Sequence, residues 1–335
     1  LGSAWIDVAW RQARQLAKQH GVAALILDEI QKVPEWSETV KRLWDEDTWE
    51  ETPLHVVLSG SSSLLLKAGI SDSLAGRFEL LRSTHWAFAE MQAAFGYTLD
   101  EYLQFGGYPG AAALRHDKPR WTAYMRDSII EATISRDILQ MEEIRKPALM
   151  RALFELGAQY SGQELSYRKI LGQLDERGNT DTLKHYLTLL DGAGMLSGLQ
   201  KYDDKQLRSR ASSPRLLVHD PSLMTASWHG TGSLLEQPDL RGHLVESAVG
   251  ATLLARSKTE GFDLYWWRDG SLEVDFVIKR GDDLSAIEVK SGRIKKSGIG
   301  AFCQRHSEAL PIIVGGRNTP LDAFLHGDVP LFTLS

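Results

Sequence analysis

The sequence predicts an α/β fold at its N-terminal end, followed by a helical segment and an α+β C-terminal domain. Three observations predict it. Two short apolar runs, Val22–Leu27 and Leu54–Leu58, flank a helical stretch, which is the strand–helix–strand order of a parallel crossover. The middle third, from Trp121 onward, carries apolar residues at helical spacing. The last third alternates strand-like segments with tight-turn dipeptides such as Asp269-Gly270. A chain of 335 residues has room for two or three cores. We expect divisions at 1–110, 111–225 and 226–335.

Trp5–His20 reads as an amphipathic helix stopped by Gly21, and Val22–Leu27 as a strand buried on both faces. Pro34 opens a second helix, through Trp44, with Val40, Leu43 and Trp44 inward, and Leu54–Leu58 is the next strand. Arg77–Leu81 supplies a further strand. The run Phe105–Gly110, with three glycines and a proline, reads as a hinge. Glu164–Leu199 gives helix, turn at Arg177-Gly178-Asn179, helix, and a turn at Asp191–Gly194. Leu183, Tyr186, Leu187 and Leu190 form the buried stripe of the second helix, and Thr180 is its expected N-cap. Leu199–Tyr202 and Arg215–His219 then flank a polar loop, the outline of a winged helix-turn-helix. A long helix over Leu240–Lys258 precedes the strands Asp263–Arg268, Glu273–Lys279 and Ser285–Lys290, and a short one at Ile312–Val314.

Composition excludes several classes. A net charge of −6 argues against a uniformly basic nucleic-acid coat, although a local basic patch remains compatible with it. No apolar run approaches the ~20 residues of a membrane span. The single Cys303 rules out an intrachain disulfide and a cysteine-rich zinc cage, and suits a reducing cytoplasm. Ser59–Ser63 lacks the Gly-x-Ser-x-Gly elbow of a serine hydrolase. The start at Leu1, mid-helix and without Met, reads as that of a fragment of a longer protein.

Asp28 and Glu29 follow directly on the first strand, at the carboxyl end where ligands of α/β sheets sit. A Walker-B pair needs this arrangement. Asp28 would hold Mg²⁺ through water, and Glu29 would orient the attacking water. An acidic helix cap is the alternative. Ser59 and Ser61, after the next strand, place hydroxyls beside the same site, where one could sense a γ-phosphate. Arg77 could reach phosphate as an arginine finger, or form an ion pair at a strand start.

Leu27-Asp28-Glu29-Ile30-Gln31-Lys32-Val33-Pro34-Glu35-Trp36, the Ser59-Gly60-Ser61-Ser62 strand end, Ser73-Leu74-Ala75-Gly76-Arg77 and Gly106-Gly107-Tyr108-Pro109 occur in order. Together they resemble the prokaryotic AAA-type (P-loop) ATPases that carry a C-terminal domain of unknown function. The resemblance implies a partial P-loop parallel sheet, with ATP and Mg²⁺ as ligands. The sequence departs from that pattern in one respect. No Gly-rich loop ending in Gly-Lys-Thr or Gly-Lys-Ser precedes Asp28, so the backbone cradle for phosphates is not among these residues.

The wing is locally basic through Lys201, Lys205, Arg208, Arg210 and Arg215, a pattern suited to DNA phosphates. The exposed face of its second helix, with Asp181, Lys184, His185 and Thr188, is poor in base-reading side chains, so a structural or protein-binding role, including self-association, stands beside DNA contact. Further on, Asp275, Glu288 and Lys290 have the Asp-(x)12-Glu-x-Lys spacing of a PD-(D/E)XK nuclease core, with Glu246 approaching from the long helix. Asp275, Glu288 and Glu246 would bind metal, and Lys290 would position or activate water. Three functions are compatible with these features: an ATPase coupled through the winged helix to a nuclease-like domain, a Mg²⁺-dependent nuclease, and a non-catalytic DNA- or protein-binding regulator.

Overall fold

A computed structural model of the chain describes residues 2–60, 74–138, 144–174, 179–203, 213–290, 297–317 and 319–333. They form two compact units, Leu1–Leu81 and Arg82–Ser335.

In the first unit α1 (Ala4–His20) buries Ile6, Trp10, Ala13 and Ala17 at spacings of four, three and four. Gly21, left-handed at φ 84°, ends it by donating its N–H to Ala17 O at 2.8 Å. β1 (Ala23–Leu27) follows, then α2 (Trp36–Trp49) and β2 (Leu54–Leu58), and the strands pair in parallel from Ala23↔Leu54 to Leu27↔Leu58. α2 therefore runs a turn longer than the sequence suggested and starts after Pro34, because Glu35 sits in the left-handed region. Asp47 ties the helices together. It accepts from Trp10 Nε1 at 2.6 Å and Arg14 Nε at 2.6 Å. The core is Ile6, Trp10, Leu27, Ile30, Val33, Trp36, Val40, Leu43 and Leu74.

Two expectations fail in this unit. β1 is not buried on both faces, since it alternates and Ile26 is 68% exposed, as Val57 on β2 is 49% exposed. An apolar run looks the same whether one face or two are covered. Arg77–Leu81 is not a strand. These residues have no regular structure, and Leu81 is exposed.

The second unit begins with α3 (Phe88–Phe95) and α4 (Leu99–Phe105), the latter closed by a Thr98/Glu101 capping box. A 3₁₀ turn (Pro109–Leu114) leads to α5 (Lys118–Tyr124), which continues as π-helical turns over Met125–Glu131 and Thr133–Ile138. α6 (Pro147–Gln159), α7 (Tyr167–Gln173) and α8 (Thr180–Gly192) follow. Asn179, not Thr180, caps α8, because its Oδ1 accepts from Thr182 N at 2.7 Å. Leu183, Tyr186, Leu187 and Leu190 are buried as expected.

β3 (Leu196–Lys201) and β4 (Arg215–Val218) form an antiparallel hairpin, and the short α9 (Pro221–Ala226) leads toward α10 (Pro238–Glu260). β5 (Asp263–Asp269), β6 (Leu272–Arg280) and β7 (Asp283–Val289) make an antiparallel meander, and α11 (Ile299–Arg305), β8 (Leu310–Val314) and α12 (Leu321–His326) complete the unit. The sheet order is β4-β3-β5-β6-β7-β8. The hairpin thus joins the C-terminal sheet through a parallel contact, Gln200↔Tyr265 and Lys201↔Trp266, which local periodicity does not reveal.

Phe105–Gly110 is a packed joint rather than the expected hinge. A Cβ on Gly107 would lie 2.1 Å from the Trp86 carbonyl oxygen, and one on Gly106 would lie 1.9 Å from Asp220 Oδ1. The glycines are there for close approach.

Candidate functional site

The parallel register sets Leu27 beside Leu58, so the next residues, Asp28 and Ser59, meet at the carboxyl ends of β1 and β2. Asp28 Oδ1 accepts from Ser59 Oγ and, at 3.0 Å, from Glu29 N. The backbone repeats the connection, with Ser59 N donating to Leu27 O at 2.9 Å and Ile30 N to Ser59 O at 3.2 Å. Glu29 adopts φ 54°, ψ 36°, a left-handed conformation that costs a non-glycine residue on the order of 1 kcal/mol. Its carboxylate meets Lys32 Nζ at 2.6 Å and Gln31 Nε2 at 3.2 Å. Lys32 is 72% exposed, so the pair is a surface one, weak and easily exchanged for another partner.

Arg77 does not join this group. Its guanidinium pairs with Asp45 on α2 at 2.9 Å and lies 5.7 Å over the Trp44 ring. The ion pair, rather than the finger, is what the structure forms. Ser61, Ser62, Ser63 and Ser73 lie outside the described residues, as do Arg177 and Gly178.

On the C-terminal sheet Asp275 and Glu288 come from paired strands, one step beyond the Phe276↔Ile287 pair. The β5–β6 ladder shifts register here. Tyr265 opposes Val277 and Trp267 opposes Val274, so Asp275 and Phe276 together face Trp266, a bulge that re-aims side chains. Asp275 and Glu288 are both buried, and both are engaged. Asp275 Oδ2 accepts from Val289 N at 2.8 Å, and Oδ1 faces Arg215 Nη1 at 3.8 Å. Glu288 takes Lys290 Nζ on one oxygen and the Ser297 hydroxyl on the other. Glu246 is buried on α10 against the turn at Gly162. Among the described residues, no three His, Cys, Asp or Glu side chains are grouped to hold a metal ion. The expected metal set of Asp275, Glu288 and Glu246 is therefore not assembled, because the first two already bond protein donors.

Arg215 corrects the reading of the wing. It is not an exposed phosphate contact but 1% exposed, at the start of β4. Lys201 ends β3, whereas Lys205, Arg208 and Arg210 lie outside the described residues. On α8, Lys184 and Thr188 line a groove of about 700 Å³ whose opposite wall includes Ser257 on α10 and Tyr265 on β5. That wall belongs to the same unit.

Sequence reasoning missed a buried polar hub. Asp220 accepts from Gly107 N at 2.7 Å and from Ser222 N at 2.9 Å, and burial pushes its carboxyl up to about 6. His219 Nε2 lies 2.7 Å from Ser197 Oγ and 3.2 Å from Asp191 Oδ1, and burial lowers its basicity. His85 Nε2 lies 2.8 Å from Tyr108 Oη, and burial, with His219 and Lys258 nearby, pushes it down to about 3. The only local signal was the polar pair His219-Asp220 directly after an apolar strand.

Residues 6–92 match the model of an AAA domain, so this part of the chain is similar to AAA-type ATPases. Residues 96–232 and 241–320 match two domains of unknown function, DUF8612 and DUF4143. An uncharacterized protein of Methanocaldococcus jannaschii is 25% identical over 284 residues, 79% of this chain and 60% of that protein. An uncharacterized protein of Mycobacterium tuberculosis is 26% identical over 290 residues, 84% of this chain and 62% of that protein. The chain thus spans about three fifths of the length of the curated relatives it matches. A Walker-type ATPase of Pyrococcus abyssi aligns at a TM-score of 0.40 and 15% identity, over 65% of this chain and 66% of that one. No helix among the described residues is long and apolar enough to cross a membrane.

Proposed function

We propose that the protein acts as an ATP-dependent cytoplasmic regulator whose first unit, Leu1–Leu81, supplies the Walker-B half of a nucleotide site. One observation carries the reading: Asp28 and Ser59 meet at the carboxyl ends of neighbouring parallel strands. A Mg²⁺–ATP complex bound there would bring a polarised γ-phosphate to these side chains. Asp28 fits the hydration shell of the cation as an acceptor, and Ser59, already aligned on Asp28, fits a hydroxyl that responds to phosphate. Glu29 fits the group that orients water, since releasing it from exposed Lys32 costs little. The sequence carries no Gly-Lys-Thr or Gly-Lys-Ser loop to cradle phosphates, so the reading covers the Walker-B side alone.

Glu29→Gln should retain Mg²⁺–ATP binding and lower turnover by about 10²-fold or more. Unchanged turnover in both Glu29→Gln and Asp28→Asn would sink the assignment.

The winged-helix segment, 111–225, and the nuclease-like domain, 226–335, would serve as the output. Cleavage is disfavoured because the carboxylates of Asp275 and Glu288 are bonded to protein donors. DNA held by its backbone, through Lys201, Lys205, Arg208 and Arg210, is the output the charge pattern favours. Replacing these four residues by alanine should lower the slope of log affinity against log salt by up to about 3–4. A slope that does not change would leave protein binding as the output.

A further inference from the structure

The PD-(D/E)XK-like spacing puts a divalent metal beside Asp275, and the side chains around it do not fit one. We infer that Arg215 is the resident cation of this carboxylate set, so that the C-terminal sheet is locked by a buried ion network where a nuclease core would take Mg²⁺. Arg215 is among the largest fully buried side chains of the chain. Its Nη2 bonds Glu273, and its Nη1 donates to the Asp275 carbonyl at 3.0 Å while facing the Asp275 carboxylate at 3.8 Å. Its guanidinium also lies 5.0 Å over the Trp266 ring. Glu273 passes the network on to Arg268, which bonds Glu164 and lies 5.6 Å from the same indole.

A guanidinium supplies what a divalent ion would supply here, positive charge beside Glu273 and Asp275, and adds directional donors that a metal lacks. It needs no open coordination positions. A Mg²⁺ ion demands near-octahedral oxygen ligation and several waters, and Asp275 is 2% exposed with Val289 N on one oxygen. The network also spans strands of the sheet. Arg215 leaves β4 and reaches β6 across two intervening strands, so the ion set fastens the hairpin to the meander. Burying such charges is tolerable only when every partner stays in place.

The test titrates Mn²⁺ alone into the full chain and reads the part of its binding that Asp275→Asn removes. In the wild-type chain that part should be nil up to about 1 mM, the range of weak protein sites for divalent ions. Arg215→Met leaves buried Asp275 without its cation and Glu273 with Arg268 alone. In that variant Mn²⁺ should raise Tm by several degrees, and adding Asp275→Asn should abolish the rise. Should Arg215→Met fail to fold, Arg215→Met/Glu273→Gln removes a charge of each sign and replaces it in the same titration, with the same response expected. Asp275-dependent Mn²⁺ binding by the wild-type chain overturns the inference. So does an Arg215 variant that folds and shows no Asp275-dependent response.

Discussion

Gly107→Ala should destabilise the second unit by about 4 kcal/mol or more, at the upper end for single substitutions. The new methyl would stand 2.1 Å from the Trp86 carbonyl oxygen and 3.0 Å from Trp86 N and C. These are backbone atoms, and Trp86 N itself donates to Gly107 O at 3.1 Å, so the clash cannot be relieved by turning a side chain. On the other side Gly107 N is held by buried Asp220. Any shift away from Trp86 therefore strains a hydrogen bond to a carboxylate that has no water to fall back on. Gly110→Ala is the control. Its Cβ would meet only the Tyr124 hydroxyl at 2.8 Å, the end of a side chain that can give way. A hinge makes the opposite prediction for Gly107, because alanine at a mobile glycine restricts the unfolded chain and stabilises by about 0.4–1 kcal/mol. Urea unfolding followed by circular dichroism decides by sign, and a higher midpoint for Gly107→Ala would refute the joint.

The same glycines show where sequence reading stops. Phe105–Gly110 announces a break in regular structure, and α4 does end there, at Gly106. Whether the break bends or locks depends on Asp220, more than a hundred residues on, and no local pattern connects the two. Arg215 is a similar case. The residues before it, Arg208–Ser213, are mainly basic and polar, which suggests a solvated wing, yet its partner Glu273 sits on β6, 58 residues later. The meeting of Asp28 and Ser59 was legible because its geometry is local to the strands. Two apolar runs of five or six residues fix where the strands end, and parallel pairing then puts the following residues together. Arg77 lay too far along the chain for that logic, and its contact with Asp45 depends on how the segment after β2 returns to α2.

Acid should weaken the second unit from about pH 6.5 downward, with His85 as the leading cause. In the folded chain burial pushes His85 down to about 3, against 6.5 when free. Between those values the unfolded chain binds the extra proton, so stability is complete above 6.5 and falls as pH drops toward 3. The slope approaches 1.4 kcal/mol per pH unit, and allowing for the part of His85 that touches solvent, the whole window is worth about 4 kcal/mol. His219, also lowered by burial, acts in the same direction. Asp220 opposes them. Its folded carboxyl titrates at about 6 instead of 3.8, so the native state holds that proton more tightly and gains stability as pH falls from 6 to 3.8. His85→Gln, which keeps a hydrogen-bonding group beside Tyr108, should therefore flatten the fall in urea midpoint between pH 6.5 and 4.5. Asp220→Asn removes the opposing proton and should steepen it, on top of the loss it causes at neutral pH by setting an amide N–H against Gly107 N or Ser222 N, both of which donate to the carboxylate. Equal slopes in wild type and His85→Gln would mean that His85 takes its proton without unfolding, and that the hub around Tyr108 is open to water.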